Sequence, residues 1–464
     1  MYDNFEYTGT WFLPESKEKQ VIGTLKYSKD RFVLETIGSI TSDETDFISE
    51  LVQGFEPPKE IPIILGISTN GTKITITRCH KSGSHPVMNG LTTYRYTGYD
   101  LYLGWNFDRE EDILFSTMKI SYSNFNEWYP MSGISTSFVG GAKWNVKLDY
   151  SSIDPVEAKI DDDFRLVLDI VPRFSKSLIA KEFKLNEDTF LTIKSAMPKH
   201  NNEFLKMSRC YSYFLMLAMA HKVYPITITG STKDYTVSIF PAMIMYEDIP
   251  KVPSHHMLFL YHEISEGFQT FIQLWKKLWD THEEVITTYF STLLNAGLST
   301  IEIQFLRIAF VLEAYHRKKF PDVKIPFDKT YGEMIIDMKS RLSDNIQALE
   351  FIERNRKKPM FVNFKQRLEK LVDICPDVFK NPEVEKLQFV TKVLKTRNHL
   401  AHISEESDEN VVDDPFGLIY LTHEMMALME GCLLAELHFS PDKLKDLIIK
   451  NRNIRNYAKE HPIN

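Results

Sequence analysis

The segment Arg397-Asn398-His399-Leu400-Ala401-His402 holds residue types suited to cutting RNA. RNA carries its own nucleophile, the 2′-hydroxyl. A neutral His can take that proton near physiological pH. An Arg can hold the scissile phosphate bidentately and stabilise its growing charge. No step of this scheme calls for a metal or a cofactor. DNA lacks the 2′-hydroxyl and would not be cut.

Spacing alone is weak support. With 16 Arg and 14 His in the chain, random placement gives roughly 1.4 Arg–His pairs with four to six residues between them. Arg78/His85 and Arg455/His461 are such pairs. The first falls at a strand end and a Gly/Ser turn, and the second beside the terminus. The candidate motif instead closes a helix expected over 383–400, whose apolar stripe is Leu387, Val390, Leu394 and Ala401, flanked by Val393. Arg397 and Asn398 continue that stripe, where polar groups are costly without partners or a task. Arg397 and His402, five apart, diverge by about 140° on an ideal helix. They meet if the helix ends between them, or if a second copy supplies the partner group, as in a symmetric dimer. A structural reading also exists: cations favour a helix C-terminus, and Asn is a common cap.

Glu313, in FLRIAFVLEAYHRKKF, lies on an apolar helix face and needs a partner. It can orient Arg397 or His402, or form a structural ion pair. His316, Arg317, Lys318 and Lys319, and likewise Arg354 and Arg356, can grip RNA phosphates or serve as solvated helix ends. His255, His256, His262 and Glu263 lack a zinc spacing, and His423/Glu424 do not form HExxH. No metal site is expected.

The elements that must carry these residues come in two textures. To about 250 the chain reads as short β-branched strands: 21–27, 31–37, 61–67, 72–79, 143–150, 164–170, 189–194, 226–230 and 234–240. One apolar helix over 202–221 interrupts them, and Trp11 and Trp128 read as core. From about 262 the pattern is helical, over 264–295, 299–319, 330–355, 361–374, 383–400 and 415–438, with prolines between. The fold class is α+β: a β-rich N-terminal domain followed by an all-α bundle. The net charge of −8 argues against broad coating of nucleic acid but permits a local basic groove. Scattered Cys79, Cys210, Cys375 and Cys432 read as buried reduced thiols of a cytoplasmic protein. The opening residues lack a signal-peptide pattern, and no apolar run reaches a membrane span.

TRNHLAH at 396–402 resembles the R-N-x-x-x-H motif of HEPN-domain ribonucleases, and the helices from about 262 to 438 resemble the HEPN domain of ApeA-type anti-phage proteins. GTWFLP (9–14), GTLKY (23–27), FVLETIG (32–38), ILGISTNGTKITITRC (64–79) and NFNEWYPMSGI (124–134) resemble, in order, the blocks of the ApeA N-terminal domain. The resemblance implies that Arg397, Asn398 and His402 are catalytic and that His399 is not. It implies a dimer with both motifs at the interface. It further implies metal-free RNA cleavage to cyclic-phosphate ends during abortive infection.

The resulting expectation is a β-rich sensing or regulatory domain over 1–262, a HEPN-type ribonuclease over 263–440 and a basic tail or helix over 441–464. A phage-derived component would switch the enzyme on. The rivals are an inactive HEPN scaffold that binds RNA or protein, a ligand-binding β domain with a helical dimerisation module, and a ribonuclease using Arg455/His461.

Overall fold

A computed structural model describes residues 4–28, 31–41, 60–85, 91–139, 145–177, 181–241, 250–320, 329–355, 362–402 and 408–460. The chain forms two compact units, Met1–Gln273 and Leu274–Asn464. The division falls later than the change of texture at 262. The class is α+β, a β-rich unit preceding a helical one.

Alternating apolar and polar residues build a closed barrel at the start of the chain. Its strands are β1 (Phe5–Phe12), β2 (Val21–Ser28), β3 (Arg31–Ile37), β4 (Ile61–Ser68), β5 (Lys73–His85) and β6 (Thr93–Thr97). Antiparallel pairing runs β1–β2–β3–β6–β5–β4 and returns to β1. Closure leaves these strands no open edge around the ring. Every second residue points inward, which gathers Trp11, Leu25, Leu34, Ile64, Ile74 and Ile76 into one core. A Cβ on Gly66 would lie 2.4 Å from the Trp11 ring, so glycine is what lets that indole lie against β4.

The sheet continues from β5 through β7 (Asp100–Leu103), and then through β15, β14, β8, β13, β12 and β11. In chain order these are β8 (Leu114–Tyr122), β11 (Val156–Lys159), β12 (Phe164–Ser177), β13 (Glu182–His200), β14 (Pro225–Ser231) and β15 (Thr236–Pro241). β9 (Ile134–Val139) and β10 (Asn145–Tyr150) form a separate ribbon. The short α1 (Phe125–Trp128) places Trp128 in the core, where its Nε1 donates to Phe259 O at 3.1 Å. α2 (Asn201–Met219) packs on β8 and β13 and is buried nearly all round, as its apolar sequence predicts.

At Arg78, β5 changes partner. Ile74–Thr77 pair with β7, and His80–His85 pair with β6. β5 therefore runs on to His85 instead of turning at the Gly/Ser residues. Arg78 has φ +48°, a left-handed conformation uncommon for a residue with a side chain. Its guanidinium stacks 3.5 Å from the Tyr99 ring centre and lies 3.6 Å from the Asp100 carboxylate. Asp100 is 5% exposed. Burial outweighs the attraction of Arg78 and pushes its carboxyl up to about 6. Between roughly pH 4 and 6 the folded chain thus keeps a proton on Asp100 that the unfolded chain has released. Stability from this group falls as pH rises through that window and is level above it. Asp100→Asn is expected to flatten this part of the Tm–pH profile. An unchanged slope would contradict the assignment.

The helical unit takes up most of α3 (Phe268–Leu294), which is kinked at His282, followed by α4 (Ile301–Lys319), α5 (Lys329–Arg341), α6 (Ile346–Asn355), α7 (Phe364–Ile374), α8 (Pro382–His402), α9 (Pro415–Ala435) and α10 (Pro441–Glu460). Pro382, Pro415 and Pro441 stand at first helical positions, where a missing N–H costs nothing. The single helix expected over 330–355 is two. Ser343-Asp344-Asn345 breaks it, and Asn345 Oδ1 accepts from Ala348 N at 3.0 Å to start the second. α9 is the central helix, packed by α4, α7, α8 and α10. It corrects the expectation of no membrane-length apolar run, for it is long and apolar enough to cross a membrane, yet most of it is buried inside the unit. The four cysteines are buried free thiols.

Candidate active site on the helical unit

α8 carries the motif, but its buried face differs from the expected stripe. Phe389, Val390, Val393 and Thr396 point inward, whereas Leu387 is 61% exposed and Ala401 is exposed. Asn398 therefore faces solvent instead of continuing a buried stripe, and Arg397 lies at the margin. Helical backbone continues through His402. The helix thus does not end between Arg397 and His402, and their backbone positions remain about 140° apart around the axis. The side chain of His402 lies outside the described residues.

Arg397 is held from three sides. Its Nη2 lies 3.7 Å from Glu313 Oε2 on α4. Its guanidinium carbon is 5.4 Å from the ring centre of Phe364, the first residue of α7. Its Nη1 donates to Asn398 Oδ1 at 3.4 Å. Its side chain is still 38% exposed, so a phosphate can approach it. Glu313 is 17% exposed and also accepts from Arg317 Nη2 at 2.6 Å through its other oxygen. One carboxylate thus sits between two guanidinium groups. Sequence reasoning found Glu313 but missed Phe364. Asn363 and Gln366 form a reciprocal capping box that fixes where α7 starts, but a helix start does not by itself point to a contact with Arg397.

The other flank of α8 holds a strap. Thr396, fully buried, accepts from Val412 N at 3.0 Å. Lys395 pairs with Asp408 at 2.6 Å. That hydrogen bond and those from Asn410 hold the Asp408 carboxyl down at about 2. His399 is half-buried, and its Nδ1 has no hydrogen-bond partner among the described residues.

The proposed basic clusters are less free than their sequence suggests. His316 is 2% exposed, and its Nδ1 accepts from buried Arg367 at 3.1 Å, so it does not present itself to solvent. Lys318 pairs with Glu284 at 3.3 Å. Lys319 pairs with Glu436, which also accepts from Tyr315 at 2.8 Å. Burial opposes ionisation of Glu436, but Lys319 and Tyr315 hold its carboxyl below the usual range. Arg317 remains 57% exposed. Arg354 is 81% exposed, with Glu350 at 3.6 Å, and Arg356 lies outside the described residues.

Arg455, the rival arginine, is packed away. Its Nε donates to Glu430 Oε2 at 3.0 Å, its Nη2 pairs with the other oxygen, and it is only 14% exposed. His461 lies outside the described residues. Likewise Arg78 is engaged by Tyr99 and Asp100.

The helical unit, with its Arg-Asn-x-x-x-His helix, is similar to a HEPN domain: Apea-like HEPN matches residues 306–443, which contain Glu313 and the whole motif. ApeA N-terminal domain 1 matches residues 6–275, more than half of the chain, and the chain belongs to the ApeA family. No curated protein and no solved structure shows a significant match to it.

Proposed function

We propose that this protein is a metal-independent endoribonuclease of anti-phage defence. The observation that carries the reading is Arg397, held by Glu313 and Phe364 yet open to solvent, on the helix that bears Asn398 and His402 inside a HEPN domain. His402 takes the proton of an RNA 2′-hydroxyl. The 2′-oxygen then attacks the adjacent phosphorus, the P–O5′ bond breaks, and the leaving 5′-oxygen takes a proton from water. The products are a 2′,3′-cyclic phosphate and a 5′-hydroxyl. Arg397 stabilises the charge on the pentacovalent phosphorus centre. Asn398 turns Oδ1 to Arg397, which leaves its amide N–H groups to donate to a phosphate oxygen. Because α8 stays helical through His402, the reading takes Arg397 of one copy and His402 of another as partners in a homodimer.

A free ribonuclease would harm its host, so the reading includes a gate. The N-terminal unit binds a phage-derived component in the cytoplasm and shifts the dimer to a competent arrangement. Infected cells carrying the wild-type protein are expected to accumulate RNA with cyclic-phosphate ends, and cells carrying His402→Ala are not. Equal accumulation in both would remove the assignment.

A further inference from the structure

One face of α4 meets the site described above only at its C-terminal end. Ile303, Arg307, Phe310 and Arg317 are all exposed and fall within an arc of about 80°. Phe310 is 63% exposed, so its ring is open to a ligand. Arg307 has no ion-pair partner among the described residues. Arg317 shares Glu313 with Arg397, so this end of the face carries two guanidinium groups against one carboxylate. Cations on either side of an exposed aromatic ring complement a polyanion with stackable bases better than they complement an apolar protein surface.

We propose that this face is a binding track for single-stranded RNA leading to the cleavage site. The Phe310 ring stacks a base, Arg307 and Arg317 hold backbone phosphates on either side, and Arg397 receives the scissile phosphate. Arg307 to Arg317 spans about 15 Å along the axis, room for a few nucleotides. Single-stranded RNA is the ligand because an aromatic platform needs an unstacked base, which a duplex does not offer. The track rests on the ribonuclease reading for its purpose, but binding can be measured without cleavage.

The test uses the full chain carrying His402→Ala, so that the probe is not cut, and a short fluorescent oligouridylate. Adding Phe310→Ala is expected to weaken Kd roughly ten-fold or more, and Phe310→Trp to restore it. Adding Arg307→Gln is expected to reduce the slope of log affinity against log salt by about 0.7. The track is overturned by unchanged affinity and slope, by no binding of the oligouridylate, or by a Phe310→Ala protein that loses its dimer in sedimentation with RNA affinity intact. That last result would make the face a contact between copies. Failure of the ribonuclease reading is a separate result, namely wild-type protein that leaves RNA uncut.

Discussion

Arg397→Ala is expected to lower kcat/KM for RNA by at least 10²–10³-fold, about the loss seen on removing one donor to a developing oxyanion. Stability should change little. Arg397 is 38% exposed and its contact with Glu313 is loose at 3.7 Å, and partly exposed pairs of this kind contribute little to folding. Arg397→Lys separates charge from shape. An ammonium keeps the positive charge but loses both the planar fork and the guanidinium's contact with the Phe364 ring. Most of the loss should therefore persist in the lysine variant. Steady-state kinetics beside a thermal melt decides the matter: a folded Arg397→Ala protein with near wild-type turnover would refute the assignment.

Arg455→Ala should have the opposite signature. Glu430 is 2% exposed and depends on Arg455 for its charge balance. Removing the arginine leaves a buried carboxylate unpaired, a loss of about 3–5 kcal/mol. Urea titration of the helical unit should show that loss as a lower midpoint. Replacing both partners by leucine should recover much of it, because no charge is then left stranded. A destabilisation under about 1 kcal/mol would mean that the pair is not buried as described. The result also bears on the rival site, since an arginine that anchors α10 to α9 is not available to a phosphate.

Several features were legible from residue pattern. β-branched runs marked β2, β3 and β4, and prolines marked the starts of α8 and α9. Other strands were silent. β7 has only four residues, and β8 mixes Ser, Thr and Lys into its run. β13 runs well past 189–194 through polar sequence, and its Pro198 falls within the register shift against β8, where a missing N–H is tolerated. On α8 the periodicity was read correctly as helical but its face was misjudged. Leu387 resembles a core residue, yet Phe389 and Thr396 turn the buried face toward themselves. Tertiary packing decided between two stripes that the sequence leaves nearly equal. For the candidate site, residue types and a family resemblance located Arg397, Asn398, His402 and Glu313. Contacts between distant segments, such as Phe364 on Arg397 and Val412 on Thr396, have no periodic signature and were not legible.

The central claim is metal-free cleavage by the Arg397/His402 motif. The most direct measurement takes full-length wild-type and His402→Ala proteins from phage-infected cells, incubates each with total RNA in EDTA and maps the product ends. The account predicts wild-type cuts with 2′,3′-cyclic phosphate and 5′-hydroxyl ends, and none above background from His402→Ala. Equal cleavage by the two proteins, or wild-type cleavage that EDTA abolishes, would contradict it.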